Sequence, residues 1–428
     1  MSKLYINGGK RLSGEVTVQG AKNSALPILA ATVLCDGESV IHNCPKLSDV
    51  TASVRILEHL GCICKREGDT LIVDSRNISC FDIPDSLMRE MRSSIVLLGA
   101  ISARMGRAKL CSPGGCELGA RPIDLHVSAL KKLGLIIDES YGCLDCKTSD
   151  CLKGAEIHLA FPSVGATENI ILAAATAKGR TVIHNAAREP EICDLQNFIN
   201  SAGGCVCGAG TGTVVIDGVS KLHGAEHTVI PDRIVAATYL AAAAMTRGKI
   251  LLKNIEQPHL ISVLTYFSEM GCVLQVKNKS VLLEAPQKLS RFFEIQTMVY
   301  PGFPTDAGPI LVAMATLSNG SSMFVENIFE NRYNYVGELR RLGAKIKLAD
   351  RVAVIDGVER LSGARVDSTD LRGGAALVLA GLAADGLTVV DKIHHIDRGY
   401  ENIENVLTNL GADIVRKEVY ECKTWKML

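Results

Sequence analysis

A glycine-rich segment, Ser112–His126 (SPGGCELGARPIDLH), contains the residues of this chain that are best suited to chemistry. Its proline and glycines predict a loop and not a helix or strand. Cys116 lies within this loop, and Arg121 follows five residues later. A thiol on an exposed loop near cations ionises readily and is reactive. We therefore predict that Cys116 is a reactive thiol, with a buried structural cysteine as the alternative.

Three cations, Lys22, Arg92 and Arg372, precede apolar, alanine-rich segments. A helix N-terminus carries partial positive charge and free N–H donors, so a cation beside it is unfavourable unless an anion lies between them. Several such helix starts that converge form a strong anion site. The alternative for each cation is a solvated side chain or an ion pair with a neighbouring Asp. Taken together the three favour an anionic ligand, whereas we interpret Asp232 and Thr167 as ordinary helix caps.

These cations belong to a unit that repeats six times along the chain. Each unit has an apolar segment, then a glycine with a short apolar stretch, then an amphipathic segment that ends at another glycine. These closing glycines are 68 to 73 residues apart, and a fixed period indicates one supersecondary unit copied along the chain. The apolar segments are Ala25–Leu34, Ile95–Ala103, Ile170–Ala177, Ile234–Met245, Ile310–Leu317 and Ala376–Ala384, and the closing glycines are Gly61, Gly134, Gly203, Gly271, Gly343 and Gly411.

The apolar segments predict buried helices, because they are apolar on nearly every face. The amphipathic segments predict helices nearer the solvent, each ended by a left-handed glycine. Alternating segments such as Thr70–Asp74, Thr213–Asp217 and Val352–Asp356 predict strands with one wet face. The chain therefore predicts an α/β fold with helices inside and sheets outside. Its 428 residues are enough for two or three domains, and six units divide naturally as three plus three.

The composition excludes some classes of function. The formal net charge is zero, which argues against a general binder of nucleic acid or of anionic membranes. The first ten residues are polar, and the longest apolar segment, Ile234–Met245, is too short to span a bilayer. We therefore expect a cytoplasmic protein.

The fifteen cysteines raise the question of a metal site. Only one CxxC motif exists, Cys143 to Cys146, and no histidine neighbours it. Structural zinc normally takes two paired motifs, so we predict no metal, with a zinc site as the weaker alternative. Most of the thiols are expected to act as small apolar residues in a reducing compartment.

Over almost its whole length the chain resembles the UDP-N-acetylglucosamine 1-carboxyvinyltransferases, a family of enolpyruvyl transferases. The sister family of enolpyruvylshikimate-phosphate synthases shares the fold but lacks the Cys116 loop. Besides that loop, the motifs that carry the resemblance are Gly20–Pro27, Ser163–Asn169, Ala187–Ile192, Pro301–Asp306, Glu330–Arg332 and His395–Glu401.

The resemblance implies two inside-out α/β barrel domains, each of three βαβαββ repeats with internal helices. Residues 22–230 would form the first domain, and residues 231–428 the second, with residues 1–21 packed on the second. The active site would lie in the cleft between them. The implied reaction moves the enolpyruvyl group of phosphoenolpyruvate to the 3-hydroxyl of UDP-N-acetylglucosamine and releases phosphate. Substrate binding would close the cleft from an open form and order the Cys116 loop.

The resemblance also implies roles for single residues. Cys116 would supply the proton to the methylene carbon of phosphoenolpyruvate, form a covalent adduct with it and react with fosfomycin. Asp306 would be the base on the sugar hydroxyl, with a simple helix cap as the alternative. Lys22, Arg121 and Arg398 would contact the phosphate, Arg332 and Arg372 the carboxylate, and Arg92 and Asp370 match further substrate positions. Lys22 and Arg398 complete the catalytic set with Cys116 and Asp306.

The nucleotide sugar would be held mainly by the first half of the chain. The implied contacts are Asn23, Arg121, Pro122, Ile123, Asp124, Leu125, His126, Ser163, Val164, Gly165 and Ile328. No metal and no cofactor is implied, since arginine and lysine already neutralise the phosphates. The expected partners are the two substrates, without nucleic acid or membrane, and regulatory proteins stay open.

Two other functions stay open at this point. The first alternative is an enolpyruvyl transferase that acts on a different acceptor. The second is a non-catalytic paralogue that binds a nucleotide sugar as a regulator. The Cys116 loop argues against the first, and the presence of Lys22, Cys116, Asp306 and Arg398 argues against the second. Whether the chain is a primary or a secondary copy of the enzyme is also open.

Overall fold

The computed structural model describes residues 2–111 and 123–418. Cys116, Arg121 and Pro122 lie outside the described residues, so the predictions for them have no structural counterpart here.

The helices fall into inner, nearly apolar ones and outer, amphipathic ones, as the repeat predicts. In chain order they are α1 (Lys22–Thr32), α2 (Ser48–Leu60), α3 (Asp85–Glu90), α4 (Leu97–Met105), α5 (Asp124–Lys132), α6 (Val164–Ala174), α7 (Pro190–Ser201), α8 (Arg233–Met245), α9 (Gln257–Glu269), α10 (Gly308–Ala315), α11 (Val336–Arg341), α12 (Leu371–Ala383) and α13 (Ile403–Asn409), with 3₁₀ helices at Arg92–Val96, Thr305–Ala307 and Ile393–Arg398. The inner helices α1, α4, α6, α8, α10 and α12 overlap the six apolar segments, although α6 and α12 begin five or six residues before the predicted segments.

The strands lie between these helices and are mostly short. In the first half they are β1 (Ser2–Asn7), β2 (Ser13–Thr17), β3 (Cys35–Asp36), β4 (Glu38–His42), β5 (Ile63–Glu67), β6 (Thr70–Asp74), β7 (Asp82–Ile83), β8 (Arg107–Cys111), β9 (Leu135–Ser140), β10 (Cys143–Thr148), β11 (Glu156–His158), β12 (Arg180–His184), β13 (Val206–Cys207), β14 (Thr213–Asp217), β15 (Leu222–His223) and β16 (Glu226–Thr228). In the second half they are β17 (Lys249–Lys253), β18 (Val273–Lys277), β19 (Ser280–Glu284), β20 (Leu289–Ser290), β21 (Glu294–Gln296), β22 (Ser318–Asn319), β23 (Ser321–Val325), β24 (Lys345–Ala349), β25 (Val352–Asp356), β26 (Arg365–Asp367), β27 (Leu387–Asp391) and β28 (Asp413–Glu418).

Within the described residues the strands form six four-stranded sheets of one design. Each has a parallel pair at one edge, followed by two antiparallel pairs. Their strand orders are β16-β4-β6-β5, β7-β8-β10-β9, β11-β12-β14-β13, β18-β19-β17-β2, β21-β23-β25-β24 and β26-β27-β1-β28. The predicted α/β fold built from six copies of one unit is confirmed.

Three of these four-stranded sheets pair strands that are distant in sequence. β16, at the end of the third unit, pairs in parallel with β4 of the first. The N-terminal strands join the other half of the chain, since β2 pairs with β17 and β1 lies between β27 and β28. Sequence neighbours are therefore not the only sheet partners, and the N-terminus completes the second set of three sheets.

The buried apolar side chains form two clusters that follow the same division. One runs from Ala21 to Val229. The other joins Leu4–Val18 to the segment from Ile234 to Ile414. The six closing glycines all have positive φ, between 89° and 105°, so the predicted left-handed helix ends are confirmed. The proposed domain boundaries at residues 22–230 and 231–428 stay a prediction, which the two clusters support.

Two remaining features concern membranes and thiols. Among the described residues, no helix combines the length and the apolar character needed to cross a bilayer.

Eleven described cysteines are free thiols, whereas Cys111 and Cys143, paired residues of β8 and β10, are joined by a disulfide. The CxxC motif at Cys143 is therefore part of a disulfide and not a pair of free thiols.

Candidate active site

One carboxylate joins a lysine and an arginine from the two halves of the chain. Asp49, in the first turn of α2, accepts from Lys22 Nζ at 2.6 Å and from Arg398 Nε at 2.9 Å. The Asp49 side chain is only 3% exposed and that of Lys22 10%. Burial lowers the pKa of Lys22 from its ordinary value; Asp49 opposes this shift, while Arg398 and Arg372 add to it. Three cations therefore lie close enough to influence one another, as an anion site requires.

A second carboxylate lies among the arginines of the other half. Asp306 Oδ1 accepts from Arg332 Nη2 at 2.9 Å, and Asp306 Oδ2 accepts from Arg372 Nε and Nη2 at 3.2 Å. Both arginine side chains are 2% exposed, whereas that of Asp306 is 29% exposed. Two buried guanidinium groups thus orient a carboxylate that still reaches the solvent. The N-cap residues of the helices Thr305–Ala307 and Gly308–Ala315 are Pro304 and Ala307, so Asp306 does not occupy the N-cap position of either helix, and its role as the base stays a prediction.

Helix starts position these cations as the sequence predicts. Lys22 is the first residue of α1, and its backbone N–H donates to Asp232 Oδ2 at 3.2 Å. Asp232 also caps α8 through the N–H groups of Ile234 and Val235, which confirms its predicted role. The starts of α1 and α8, which are distant in sequence, therefore meet at Asp232.

Arg372 is fixed by its own helix. Asp370 caps α12 by accepting from the backbone N–H groups of Arg372 and Gly373. Arg372 Nη1 also donates to the hydroxyl of Tyr400 at 3.3 Å. Asp370 therefore positions the helix that carries Arg372, and its predicted substrate contact stays a prediction.

A buried glutamate holds the turn that carries Asp306. Glu326 is 1% exposed. Its Oε2 accepts from the Thr305 hydroxyl at 2.8 Å, and its Oε1 accepts from the Thr297 hydroxyl and from the N–H groups of Ile328 and Phe329. Four donors, all of them neutral hydroxyl or backbone N–H groups, satisfy this carboxylate among the described residues. The turns of Asp306 and Ile328, both predicted site residues, are thereby tied together.

The residues predicted to hold the nucleotide sugar form a separate group in the first half. Ser163 caps α6 by accepting from the N–H of Ala166 at 3.3 Å; our interpretation of Thr167 as the cap is wrong, because its hydroxyl donates to the Ser163 carbonyl inside the helix. His126, on α5, lies against this helix start, since a Cβ added at Gly165 would stand 3.2 Å from His126 Cε1.

The imidazole of His126 is buried and neutral. Its Nδ1 lies 3.0 Å from Asn169 Nδ2, so Nδ1 accepts this hydrogen bond. Burial lowers the pKa of His126 to about 4, although Asp124 opposes the shift. A neutral His126 leaves the charge of this region to the α6 N-terminus, which suits an anion.

The remaining predicted residues differ in exposure. Asn23 and Asp124 are exposed, and Arg92 begins the 3₁₀ helix Arg92–Val96. Ile123, Leu125, Ser163, Val164, Gly165 and Ile328 are half-buried. Among the predicted cations in the described residues, Arg332 and Arg372 contact Asp306, and Lys22 and Arg398 contact Asp49.

The residues that hold the site together were not predicted from the sequence. Asp49, Arg233 and Glu326 were given no role from the sequence. Arg233 Nε donates to Glu191 Oε1 at 3.0 Å and so links the two halves a second time. Burial, with Glu191 and Glu189 nearby, raises the pKa of Glu168 well above its ordinary value. These partners could have been sought in the sequence, because buried cations need anions. Asp49 and Glu191 both lie at the start of the second helix of their units.

Comparisons with known proteins agree with this geometry. The sequence profile of the family described as EPSP synthase (3-phosphoshikimate 1-carboxyvinyltransferase) matches residues 6–407. The UDP-N-acetylglucosamine 1-carboxyvinyltransferase 2 of Caldanaerobacter subterraneus subsp. tengcongensis is 55% identical over 416 residues, which are 97% of this chain and 100% of the relative. The UDP-N-acetylglucosamine 1-carboxyvinyltransferase of Thermotoga maritima is 45% identical over 98% of this chain and 100% of its own.

Solved structures show the same fold. The enolpyruvyl transferase NikO from Streptomyces tendae has a TM-score of 0.87 at 25% identity, over 97% of this chain and 98% of its own. EPSP synthase from Acinetobacter baumannii has a TM-score of 0.78 at 17% identity, over 98% of this chain and 100% of its own, which shows the fold alone. The chain therefore belongs to the EPSP synthase family, and within it to the UDP-N-acetylglucosamine 1-carboxyvinyltransferases, which makes it a transferase.

Proposed function

We propose that this protein transfers the enolpyruvyl group of phosphoenolpyruvate to the 3-hydroxyl of UDP-N-acetylglucosamine and releases phosphate, the first committed step of peptidoglycan synthesis. The observation that carries the proposal is the match to full-length relatives named for this reaction. The buried cations around Asp49 and Asp306 give it a physical basis, because the donor is a compact anion with a phosphate and a carboxylate.

The cations match the two ends of the donor. Lys22 and Arg398 would bind the phosphate. In the structure the carboxylate of Asp49 is the anion that they contact. Arg332 and Arg372 would bind the carboxylate of the donor. Guanidinium groups bind both kinds of anion in a bidentate way. Arg332 Nε is buried and has no hydrogen-bond partner, so a donor is available without breaking the bonds to Asp306. Arg121 would add a further cation from the Cys116 loop.

Asp306 has the geometry of a general base. Its carboxylate is oriented by Arg332 and Arg372 and still partly exposed, so a sugar hydroxyl can reach it. In the proposed sequence Cys116 protonates the methylene carbon, Asp306 takes the hydroxyl proton, and the oxygen adds to C2. The tetrahedral adduct then loses phosphate and one methyl proton, which regenerates the double bond.

The two halves of the chain would act as two half-sites. Lys22, Cys116 and Arg121 belong to the proposed first domain, and Asp306 and Arg398 belong to the second. The Asp49 to Arg398 bond supports a site formed between the halves. Ser163–Gly165 at the α6 N-terminus and the α5 start would hold the diphosphate and sugar. Location in the cytoplasm stays a prediction from the sequence.

Phosphate release from phosphoenolpyruvate tests the proposal. We expect release to depend on UDP-N-acetylglucosamine, and to fall at least a hundredfold in Asp306→Asn and in Cys116→Ser. Asp217→Asn is the matched control, because it removes the same charge from an exposed pair with Arg180 far from these residues in sequence. Full turnover by Asp306→Asn would overturn the role of Asp306. Cys116→Asp is expected to retain turnover and to resist fosfomycin.

A second candidate is enolpyruvyl transfer to a different acceptor. The likeness to NikO and to EPSP synthase favours it, since the fold is shared by enzymes with other names. Acceptor competition separates the two: release with shikimate 3-phosphate, but not with UDP-N-acetylglucosamine, would replace the first proposal. In the organism of the first relative, the copy numbered 2 is 55% identical and the copy numbered 1 is 45% identical, which favours the numbered-2 type.

A further inference from the structure

Three potential metal ligands lie together away from the proposed active site. His59 is in the last turn of α2, Cys80 precedes β7, and Asp82 is the first residue of β7. One ligand atom from each residue lies within 4.8 Å of the other two. Cys80 Sγ is 3.6 Å from His59 Nε2 and 2.9 Å from Asp82 Oδ1. The CxxC motif that the sequence suggested for a metal takes no part in this group.

The spacing of the sulfur and the nitrogen fits a tetrahedral metal centre. Zinc binds thiolate sulfur at about 2.3 Å and imidazole nitrogen at about 2.0–2.1 Å, so a tetrahedral angle separates the two ligand atoms by about 3.6 Å. This is the distance observed between Cys80 and His59. The Asp82 carboxylate oxygen lies 2.9 Å from the Cys80 sulfur and must move outward by roughly 0.7 Å to reach the same kind of position. Asp82 is exposed, so its side chain has room to do so.

We propose that His59, Cys80 and Asp82 bind a thiophilic divalent cation of the zinc type, with water as the fourth ligand. The thiolate and the carboxylate would together balance the two positive charges of the ion. The imidazole would bind through Nε2, which in the structure lies 3.0 Å from the backbone oxygen of Asp82. This nitrogen would exchange that hydrogen bond for the metal.

The proton balance of the site is simple. Cys80 is a free thiol whose S–H donates to Asp82 Oδ1. Burial and this hydrogen bond to Asp82 raise the pKa of Cys80, and the same bond lowers the pKa of Asp82. The metal displaces the thiol proton to solvent, forms bonds to sulfur, nitrogen and oxygen, and changes no oxidation state. One proton is released for each ion bound.

The position of the site indicates a structural role. α2 has 13 residues and begins at the turn of Asp49, so the metal would lie about 15 Å along the helix from that carboxylate. β7 pairs with β8 of the second unit, with Asp82 opposite Lys109. The ion would therefore join the end of a helix of the first unit to the first strand of the next sheet, and would stabilise that junction.

Cobalt binding to the full-length protein tests this site. The probes are Co²⁺ alone and Zn²⁺ alone, and all proteins carry Cys116→Ser so that the reactive thiol does not contribute. We expect one Co²⁺ per chain with a cobalt–thiolate charge-transfer band in the near ultraviolet, and a Tm that rises with Zn²⁺ concentration. Cys80→Ser is expected to abolish the band, and His59→Gln and Asp82→Asn to weaken binding at least tenfold.

Two variants make the result decisive. Cys205→Ser removes an exposed free thiol outside the group and is expected to leave binding unchanged. His59→Gln changes an exposed residue of α2 and retains the thiol of Cys80. A loss of binding in this variant therefore cannot be attributed to a missing sulfur or a disturbed core. The proposal is overturned if the parent protein shows no band, if Cys80→Ser retains it, or if Cys205→Ser loses it.

Discussion

Asp49→Asn replaces the carboxylate between Lys22 and Arg398 by a neutral amide of nearly the same shape. The amide oxygen can still accept from Arg398, but the amide NH₂ then faces the ammonium group of Lys22, which also only donates. Two cations are left close together without their anion. Because Lys22 and Asp49 are almost fully buried, solvent cannot replace that charge.

The magnitude follows from the burial. Removal of one partner from a buried ion pair costs about 3–5 kcal/mol. The Arg398 side chain is 36% exposed, and its interaction is therefore screened, so we expect about 3 kcal/mol. For a cooperative unit of about 200 residues this lowers Tm by about 6–12 °C. Inorganic phosphate or phosphoenolpyruvate would supply the missing anion, so each should raise Tm more in the variant than in the parent protein.

Differential scanning calorimetry of the parent protein, Asp49→Asn and Asp217→Asn, with and without phosphate, measures both effects. Asp217 pairs with Arg180 at 2.7 Å, but both side chains are exposed, so its variant is expected to shift Tm by less than about 2 °C. Asp49 also predicts a pH effect. Burial alone would raise the pKa of Asp49, but Lys22 and Arg398 lower it overall. Its stabilising contribution is therefore present above the ordinary Asp pKa and lost as pH falls through the folded value. If Asp49→Asn loses no more stability than Asp217→Asn, or gains nothing extra from phosphate, the assignment of a buried ion cluster is refuted.

Three further predictions follow from single contacts. Glu326→Gln weakens the hydrogen bonds to Thr305 and Ile328 and should cost about 2 kcal/mol; kcat should fall more than the KM for phosphoenolpyruvate rises, and unchanged kcat would contradict the positioning role. His126 has a folded pKa of about 4, well below its ordinary value, so the parent protein should lose about 3 kcal/mol as pH falls from 6.5 to 4; His126→Asn should flatten this slope in urea unfolding, and an equal slope would count against a buried neutral imidazole. Gly99→Ala places a Cβ 2.3 Å from the Asn169 carbonyl between α4 and α6 and should lower the free energy of unfolding by about 3 kcal/mol. Gly337→Ala in α11 meets no atom within 4 Å and should raise it by about 0.5–1 kcal/mol. Urea midpoints of the two variants that shift in the same direction would contradict this pair of predictions.

More of the fold than of the candidate site could be predicted from the sequence. Apolar segments such as Ile234–Met245 and glycines such as Gly61 and Gly271 mark helix bodies and helix ends, because burial and positive φ are local demands on residue type. Sheet partners such as β1 with β28 are not local, and only the family resemblance placed the N-terminus in the second half. Local patterns likewise do not reveal which carboxylate a buried cation meets.

The site was predictable where a residue must touch an anion and not where it must hold another residue. Lys22 and Arg372 stood out because cations at helix starts demand an explanation, whereas Asp306 was assigned its role by the family resemblance. Asp49 and Glu326 did not, because an Asp in a first helical turn and a Glu after a strand are ordinary. The group of His59, Cys80 and Asp82 was also hidden, because its members are separated by a hairpin of two strands, β5 and β6.

The placement of β1 beside β28 has a consequence for synthesis on the ribosome. Ser2 is paired with Glu418, so β1 cannot complete its sheet until β28 has been synthesised. At about 5–20 residues per second, that wait is about 20–80 s. The pairing of β4 with β16 involves no residue after 228, so the first three sheets can assemble while translation continues. During synthesis the chain would thus carry a completed first half while the edges of β1 and β2 still lack their partners.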